Sequence, residues 1–511
     1  MSQVKPTVDQ PQQEKGAFDI NYIYLIAAFV VLAVIWLIPT PDGLSVVGQR
    51  AVGILAFAVI VWVTEAVSYP VSALMIAGLI ALGTGFAPPP GAEEGAAHIG
   101  TSAGVRQAFG GLSTPGNTLV LMALFLAAAM QATNLHRRLA LWVLRVVGES
   151  TNAVLVGAIL VATILAFFVP SATARAGAVI PILLGMVAAF GLPKQSRLGA
   201  LMVITAVHAV SIWNVGIKTA AAQNLVAVEF IQEAFGEDIS WARWFVIAAP
   251  WSVIMCVVLF FVMKLVIKPE VDHIEGGREV VDKQLEEMGS VTPNEKKLMG
   301  IAGLLLFFWA TQGLTIPGTN RVFHNIDSTT VTVVAIAILL TPGIGVFAWK
   351  KAESMISWGT ILVFGIGISL GTVLLQSGGA TWLSDSTFGR LGLDEYPMIA
   401  TIAIVALFNI IIHLGFASAT SLASALIPVF IALTMTLNLG HDQSIGFVLI
   451  QQFIVCFGFL LPISSPQGML AYGTGTFQIK EYFKAGVPIT VIGYGLILLM
   501  SATYWKWIGL I

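Results

Sequence analysis

PSATARAGAVIPIL at residues 170–183 and ASATSLASALIPVF at residues 417–430 decide how this chain folds. Both carry Ser-Ala-Thr, then small residues, then Ile-Pro. In each, the proline follows the serine by ten residues, Ser171 to Pro181 and Ser418 to Pro428. Each sits inside a long apolar stretch, 151–190 and 398–437, with a polar or proline break near its middle. A membrane crossing needs about 20 mostly apolar residues. These stretches are longer, so each reads as a re-entrant hairpin that enters and leaves on one side. Irregular backbone at membrane depth is tolerated only where it is buried in protein or lines a watery cavity. Two such breaks therefore mark a site.

Around the hairpins, single apolar runs lie at 22–39, 47–64, 70–86, 117–135, 198–213, 244–267, 298–316, 330–348, 359–376, 446–461 and 486–505. The chain is read as an all-α polytopic membrane protein with about eleven transmembrane helices plus two re-entrant hairpins in two inverted repeats. Its composition agrees: 57% hydrophobic and 10% charged residues, against about 25% charged in soluble proteins. A mean hydropathy of +0.89 excludes a soluble enzyme, a disordered scaffold and a nucleic-acid binder. A net charge of −2 implies no polybasic or polyacidic partner. Cys256 and Cys456 lie inside apolar runs and form neither a disulfide framework nor a metal cluster.

Residues 1–21 are polar and read as a cytoplasmic tail rather than a secretory signal. With that end inside, seventeen of the 25 Lys and Arg residues fall in inside loops and six outside, as the positive-inside rule requires. The hairpins then enter from opposite sides. The first membrane half spans 22–268, with its hairpin at 151–190 and a broken helix at 198–236. The charged segment 269–297 reads as a solvated cytoplasmic linker. The second half, 298–511, carries its hairpin at 398–437 and a broken helix at 446–480. The location implied is a plasma membrane, a bacterial inner membrane.

The halves repeat more than the hairpins. Asn117-Thr-Leu-Val120 upstream of one echoes Gly359-Thr-Ile-Leu362 upstream of the other. Downstream, WNVGIKTAAAQN (213–224) and LPISSPQGMLAYGTG (461–475) each interrupt an apolar run. Inverted repeats with discontinuous helices are the signature of secondary transporters, with the site between the halves.

A hairpin tip places the positive end of its second half-helix, about half a charge, next to hydroxyls. Here those are Ser171, Thr173, Ser418 and Thr420. Two such donor clusters suit an anion with two acidic groups, and carbonyls of 214–224 and 462–468 offer Na⁺ ligands beside it.

Three features resemble the divalent anion:sodium symporter family of di- and tricarboxylate and sulfate carriers. They are Trp62-Val-Thr-Glu65-Ala-Val-Ser-Tyr-Pro70, the paired tips, and Leu461-Pro-Ile-Ser-Ser-Pro466-Gln-Gly468. The resemblance covers the chain from about residue 22. It implies a homodimer in the lipid bilayer with a scaffold domain and a mobile transport domain, working as an elevator. It also implies a small anionic substrate, no other cofactor than Na⁺ as coupling ion, and no enzymatic activity. Carried over by position, substrate falls to Ser171, Ala172, Thr173, Arg175, Lys218, Ser418, Ala419, Thr420, Ser465 and Pro466. Na⁺ falls to Ser171, Ala172, Ala220, Ala417, Ala419 and Ser464.

The chain departs from the family at both tips, where Ala172 and Ala419 stand in place of asparagine. It also carries two cations at depth, Arg175 and Lys218, and a charge inside a membrane is a functional candidate by default. Thr173-Ala-Arg175 resembles the dicarboxylate-exchanging branch, such as citrate/succinate antiporters. Lys218 is expected to supply the charge that Na⁺ supplies elsewhere; its structural alternative is a pair with a carboxylate such as Glu229. His413, Asn409, His208, Glu65 and Trp213 read more simply as packing or capping groups. The function expected is secondary transport of a divalent organic anion, C4-dicarboxylate or tricarboxylate, by Na⁺ symport or by Na⁺-independent exchange. Sulfate or sulfonate carriage and an anion channel are the alternatives.

Overall fold

A computed structural model describes residues 20–511 apart from 93, 94, 190, 274, 275 and 320. The expected tail therefore lies outside the described residues as far as residue 19. The described part is helical almost throughout, and this is an all-α polytopic membrane protein. Nine helices among the described residues are long and apolar enough to cross a membrane.

Local chemistry sets where helices begin. Ser45, Thr114, Ser150, Ser196, Ser240 and Thr292 each accept a hydrogen bond from the backbone of the first turn they precede, satisfying a donor that has no partner in the helix. Pro70, Pro115, Pro293 and Pro466 sit in first turns, where a missing N–H costs nothing.

Both expected hairpins form. Thr151–Phe168 runs down to a break at 169–171, and Ala172–Ala189 runs back. Met398–His413 and Ala419–Thr436 do the same around 414–418. Both expected broken helices form as well. Arg197–Gly216 unwinds into a short 3₁₀ turn, Lys218–Ala220, and resumes as Ala222–Phe235. His441–Val455 unwinds through Pro462–Ser464 and resumes as Pro466–Gly473.

Several boundaries differ from the sequence reading. The run read at 330–348 is helical only over Ser328–Leu340, because Pro342 disfavours helix before it and Gly343 takes φ +81°. The first unwound stretch is shorter than 214–224, since helix persists to Gly216 and returns at Ala222. Pro466 and Gln467 are not unwound: they form the first turn of the resumed helix.

Packing repeats between the halves in a crossed sense. The second hairpin arm of the first half, Ala172–Ala189, lies on its own Arg197–Gly216 and on Pro466–Gly473 of the other half. The second arm of the other hairpin, Ala419–Thr436, lies on its own His441–Val455 and on Ala222–Phe235 of the first half. Each tip is thereby carried to the break of the opposite half. Helix Trp358–Gln376 backs this arrangement. Its glycines meet neighbours too closely for any side chain: Gly365 meets Leu112, Gly367 meets Ser424, and Gly371 meets Phe230 and Pro428.

The charged segment 269–297 is not a bare solvated loop. It contains helix Gly277–Met288, packed on Leu135–Val147 and on the hairpin arm Ala172–Ala189. Glu270 accepts from the backbone N–H of Arg197 (2.7 Å) and Leu198 (2.9 Å) at a helix start. Arg138 is buried, donates to Glu295 at 2.6 Å and reaches the Gly289 carbonyl at 2.9 Å.

Candidate functional site

The two tips and the two breaks meet at one cavity of about 570 Å³. Four helices begin at its wall, at Ala172, Ala222, Ala419 and Pro466. The backbone N–H groups of a first turn have no partners within the helix, so four positive helix ends face one space. Hydroxyl caps hold three of these starts. Ser171 Oγ accepts from Ala174 N at 3.2 Å, Ser418 Oγ from Ser421 N at 3.2 Å, and Ser465 Oγ from Gly468 N at 3.2 Å. The fourth start, Ala221–Ala222, has no side-chain cap.

The lining contains Ser171, Ala172, Thr173, Ser418, Ala419, Thr420, Ser465 and Pro466, and also Ala417 and Ser464. Ten residues picked out by sequence are thus brought together. Arg175, Lys218 and Ala220 do not line the cavity.

Arg175 is completely buried behind the first tip. Its Nη2 donates to Asn214 Oδ1 at 2.5 Å and to the Ala220 carbonyl at 2.9 Å. Its remaining guanidinium nitrogens have no partner among the described residues. The guanidinium therefore sits on the unwound carbonyl where a cation ligand was expected. Lys218 points the other way: its Nζ donates to the Ile239 carbonyl at 2.5 Å and lies 3.7 Å from Asp238, whose carboxylate is half exposed. Glu229, the partner named from sequence, instead accepts from Gly116 N at 2.7 Å.

Asn224 organises the first break. Its amide donates to the carbonyls of Asn214 (2.7 Å) and Ile217 (3.2 Å), and its oxygen accepts from Gln452 across the halves at 3.2 Å. Gln467 makes the reciprocal link, donating to Ser211 Oγ at 2.9 Å. His413 lines the cavity with Nε2 3.2 Å from the Ser464 carbonyl and Nδ1 unpartnered. Asn409 donates to the Gln451 carbonyl at 2.9 Å. His208 packs on Tyr482 with ring centroids 4.6 Å apart, and Trp213 packs on Phe167 at 6.2 Å. Glu65 ends helix Val46–Thr64 in the left-handed conformation, φ 49°.

Sequence reasoning did not assign to the site the wall of Tyr69, Pro70, Val120, Leu124, Thr360 and Val363. Its signals were the segment ending Tyr69-Pro70 and the echo of 117–120 in 359–362, since these segments supply this wall.

Residues 19–511 match the family model described as the sodium:sulfate symporter transmembrane region. The chain belongs to the divalent anion:sodium symporter family. This family member is 45% identical over 485 residues to a "membrane protein" of Cupriavidus necator, covering 95% of this chain and 92% of the relative. It is 24% identical over 508 residues to the sodium-dependent dicarboxylate transporter SdcS of Staphylococcus saprophyticus (96% and 92% covered). It is 25% identical over 488 residues to the citrate/succinate antiporter of Escherichia coli K12 (94% and 97% covered). Its fold is similar to that of the Alcanivorax borkumensis YdaH transporter, with a TM-score of 0.54 at 16% identity over 88% of this chain and 99% of that one. This symporter-family protein is a multi-pass plasma-membrane transporter of small anions and not an enzyme.

Proposed function

We propose that the protein is a secondary carrier of divalent organic anions that works by exchange without sodium. The observation that carries this reading is Arg175. Its guanidinium already occupies the Asn214 amide oxygen and the Ala220 carbonyl at the first break, and both tips lack the asparagine of the family. Dicarboxylate is the class favoured by four helix starts around one cavity, since two acidic groups need two donor clusters. The relatives' names, dicarboxylate transporter and citrate/succinate antiporter, point the same way.

The residues proposed to hold the anion are Ser171, Thr173, Ser418, Thr420 and Ser465, with the backbone N–H groups of the first turns that begin at Ala172, at Ala419 and, since Pro466 itself has no N–H, just after Pro466. Alternating access is proposed to be elevator-like within a homodimer, with a cytoplasmic N-terminus and the 269–297 segment on the inside. A second reading, symport with one Na⁺, is favoured by the second break, where Ser464 Oγ is buried without a partner. In that reading Ser464 and the carbonyls of Ala417 and Ala419 hold the ion.

Counterflow tests the carrier itself. Proteoliposomes loaded with unlabelled succinate are expected to accumulate labelled succinate transiently and saturably. Rapid non-saturable equilibration with no overshoot would mean a channel, because a channel cannot couple two opposed fluxes.

A further inference from the structure

The cavity has two faces of different chemistry. One is polar: the tips and breaks bring hydroxyls and helix starts. The other is mostly apolar, built by Val120, Leu124 and Val363 with Pro70 and the ring of Tyr69, and carries the Thr360 hydroxyl as its polar group. Among the described residues that line it, none is Asp, Glu, Lys or Arg. The nearby cations are turned away, Arg175 onto Asn214 and Ala220, Lys218 onto Ile239 and Asp238. Neutral donors therefore hold the charge, and most of them come from the tips and breaks.

The volume, about 570 Å³, falls within the range that encloses ligands much larger than a short dicarboxylate. Alanine at the middle of each tip adds room where a longer side chain would reach in. A four-carbon dianion held by the tips leaves the apolar wall uncovered. An apolar group on the same dianion covers it, and each methylene moved out of water is worth about fourfold in affinity. The wall is also closely packed. Gly359 abuts Pro70 so closely that a Cβ would not fit without a shift, so Pro70 and helix Trp358–Gln376 already touch at the wall.

We propose that the preferred cargo is a dicarboxylate carrying an aryl or branched-alkyl substituent, with the two carboxylates on the tips and the substituent on the wall of Tyr69, Pro70, Val120, Leu124 and Val363. This rests on the anion-carrier reading above and narrows its substrate class.

The test is competition in succinate counterflow by unlabelled succinate, 2,2-dimethylsuccinate and phenylsuccinate, with thermal shift of the detergent-purified protein as a direct binding readout. Phenylsuccinate is expected to compete and to stabilise at concentrations at least about tenfold lower than succinate, with dimethylsuccinate between them. In Val363→Asn the phenylsuccinate-to-succinate ratio is expected to fall towards one. Ala419→Asn, which narrows the space instead of polarising it, is expected to lower the same ratio. Succinate matching or outcompeting phenylsuccinate in the wild type overturns the substituent proposal while the carrier reading stands. Absence of binding and exchange for all three dicarboxylates overturns both. The wild-type ranking decides the matter even where a variant fails to fold.

Discussion

Arg175 and Lys218 are the two cations at depth, one after the first tip and one at the first break, and the charge-replacing role expected of Lys218 is proposed here for Arg175. Removing Arg175 orphans the Asn214 oxygen and the Ala220 carbonyl inside the protein, at about 1–3 kcal/mol for each buried group left unpaired. Arg175→Ala is expected to lower exchange at least about tenfold. Arg175→Lys keeps the charge but not the planar fork, and is expected to fall between. Counterflow rates normalised to reconstituted protein measure this, and equal rates in all three proteins would remove Arg175 from the mechanism. Lys218→Met, by contrast, is expected to leave exchange within about twofold and to create no Na⁺ dependence. The Lys218 ammonium donates to the Ile239 carbonyl and faces Asp238, not the cavity, so the loss falls on stability, at about 1–3 kcal/mol for the carbonyl left unpaired. A Na⁺-dependent Lys218→Met would restore the charge-replacement role that its position in the sequence suggested.

At the scale of elements, two contacts make sharp predictions. Gly359→Ala drives a methyl into Pro70 at the edge of the cavity. Overpacking of this kind costs about 1–3 kcal/mol, and the variant is expected to lose both transport and thermal stability. The Arg138–Glu295 pair ties the charged segment to the membrane helices. Burial pushes the Glu295 carboxyl up, but hydrogen bonds from Arg138 and Thr292 outweigh it and hold it below its ordinary value. A carboxyl with a lowered folded-state pKa contributes stability above its unfolded pKa of about 4.3, and that contribution fades as pH falls through the folded value. Thermal unfolding of purified protein is therefore expected to drop between about pH 6 and pH 3, with a shallower drop in Glu295→Gln. Identical pH profiles for the two proteins would show that the pair does not set acid stability.

Much at this scale was readable in the chain. Ser-Ala-Thr followed by small residues and a proline at fixed spacing locates both hairpins, and polar interruptions locate both breaks. The ends of the breaks were not readable, because a proline such as Pro466 both stops one helix and starts the next. The direction of Arg175 and Lys218 was not readable either. Both are long side chains with several rotamers, and their partners, Ala220 and Ile239, are backbone carbonyls that carry no sequence signature. The apolar wall at Tyr69, Val120 and Val363 depends on helices distant in sequence packing together, which no local pattern encodes.

The whole molecule is two copies of one plan with crossed packing, each tip seated on the other half's break. That crossing explains why four helix starts reach a single cavity. It also explains why polar bonds such as Gln467 to Ser211 and Gln452 to Asn224 join the halves at the site. A pair of halves sharing one site is what the alternating access proposed above requires. The central claim, exchange of divalent anions with Arg175 in place of a coupling ion, is tested most directly by labelled dicarboxylate uptake into proteoliposomes. The arms are an inward Na⁺ gradient present or absent, crossed with unlabelled dicarboxylate inside or not. The account predicts uptake that requires internal dicarboxylate and is indifferent to the Na⁺ gradient. Uptake driven by the Na⁺ gradient into vesicles empty of dicarboxylate would contradict it.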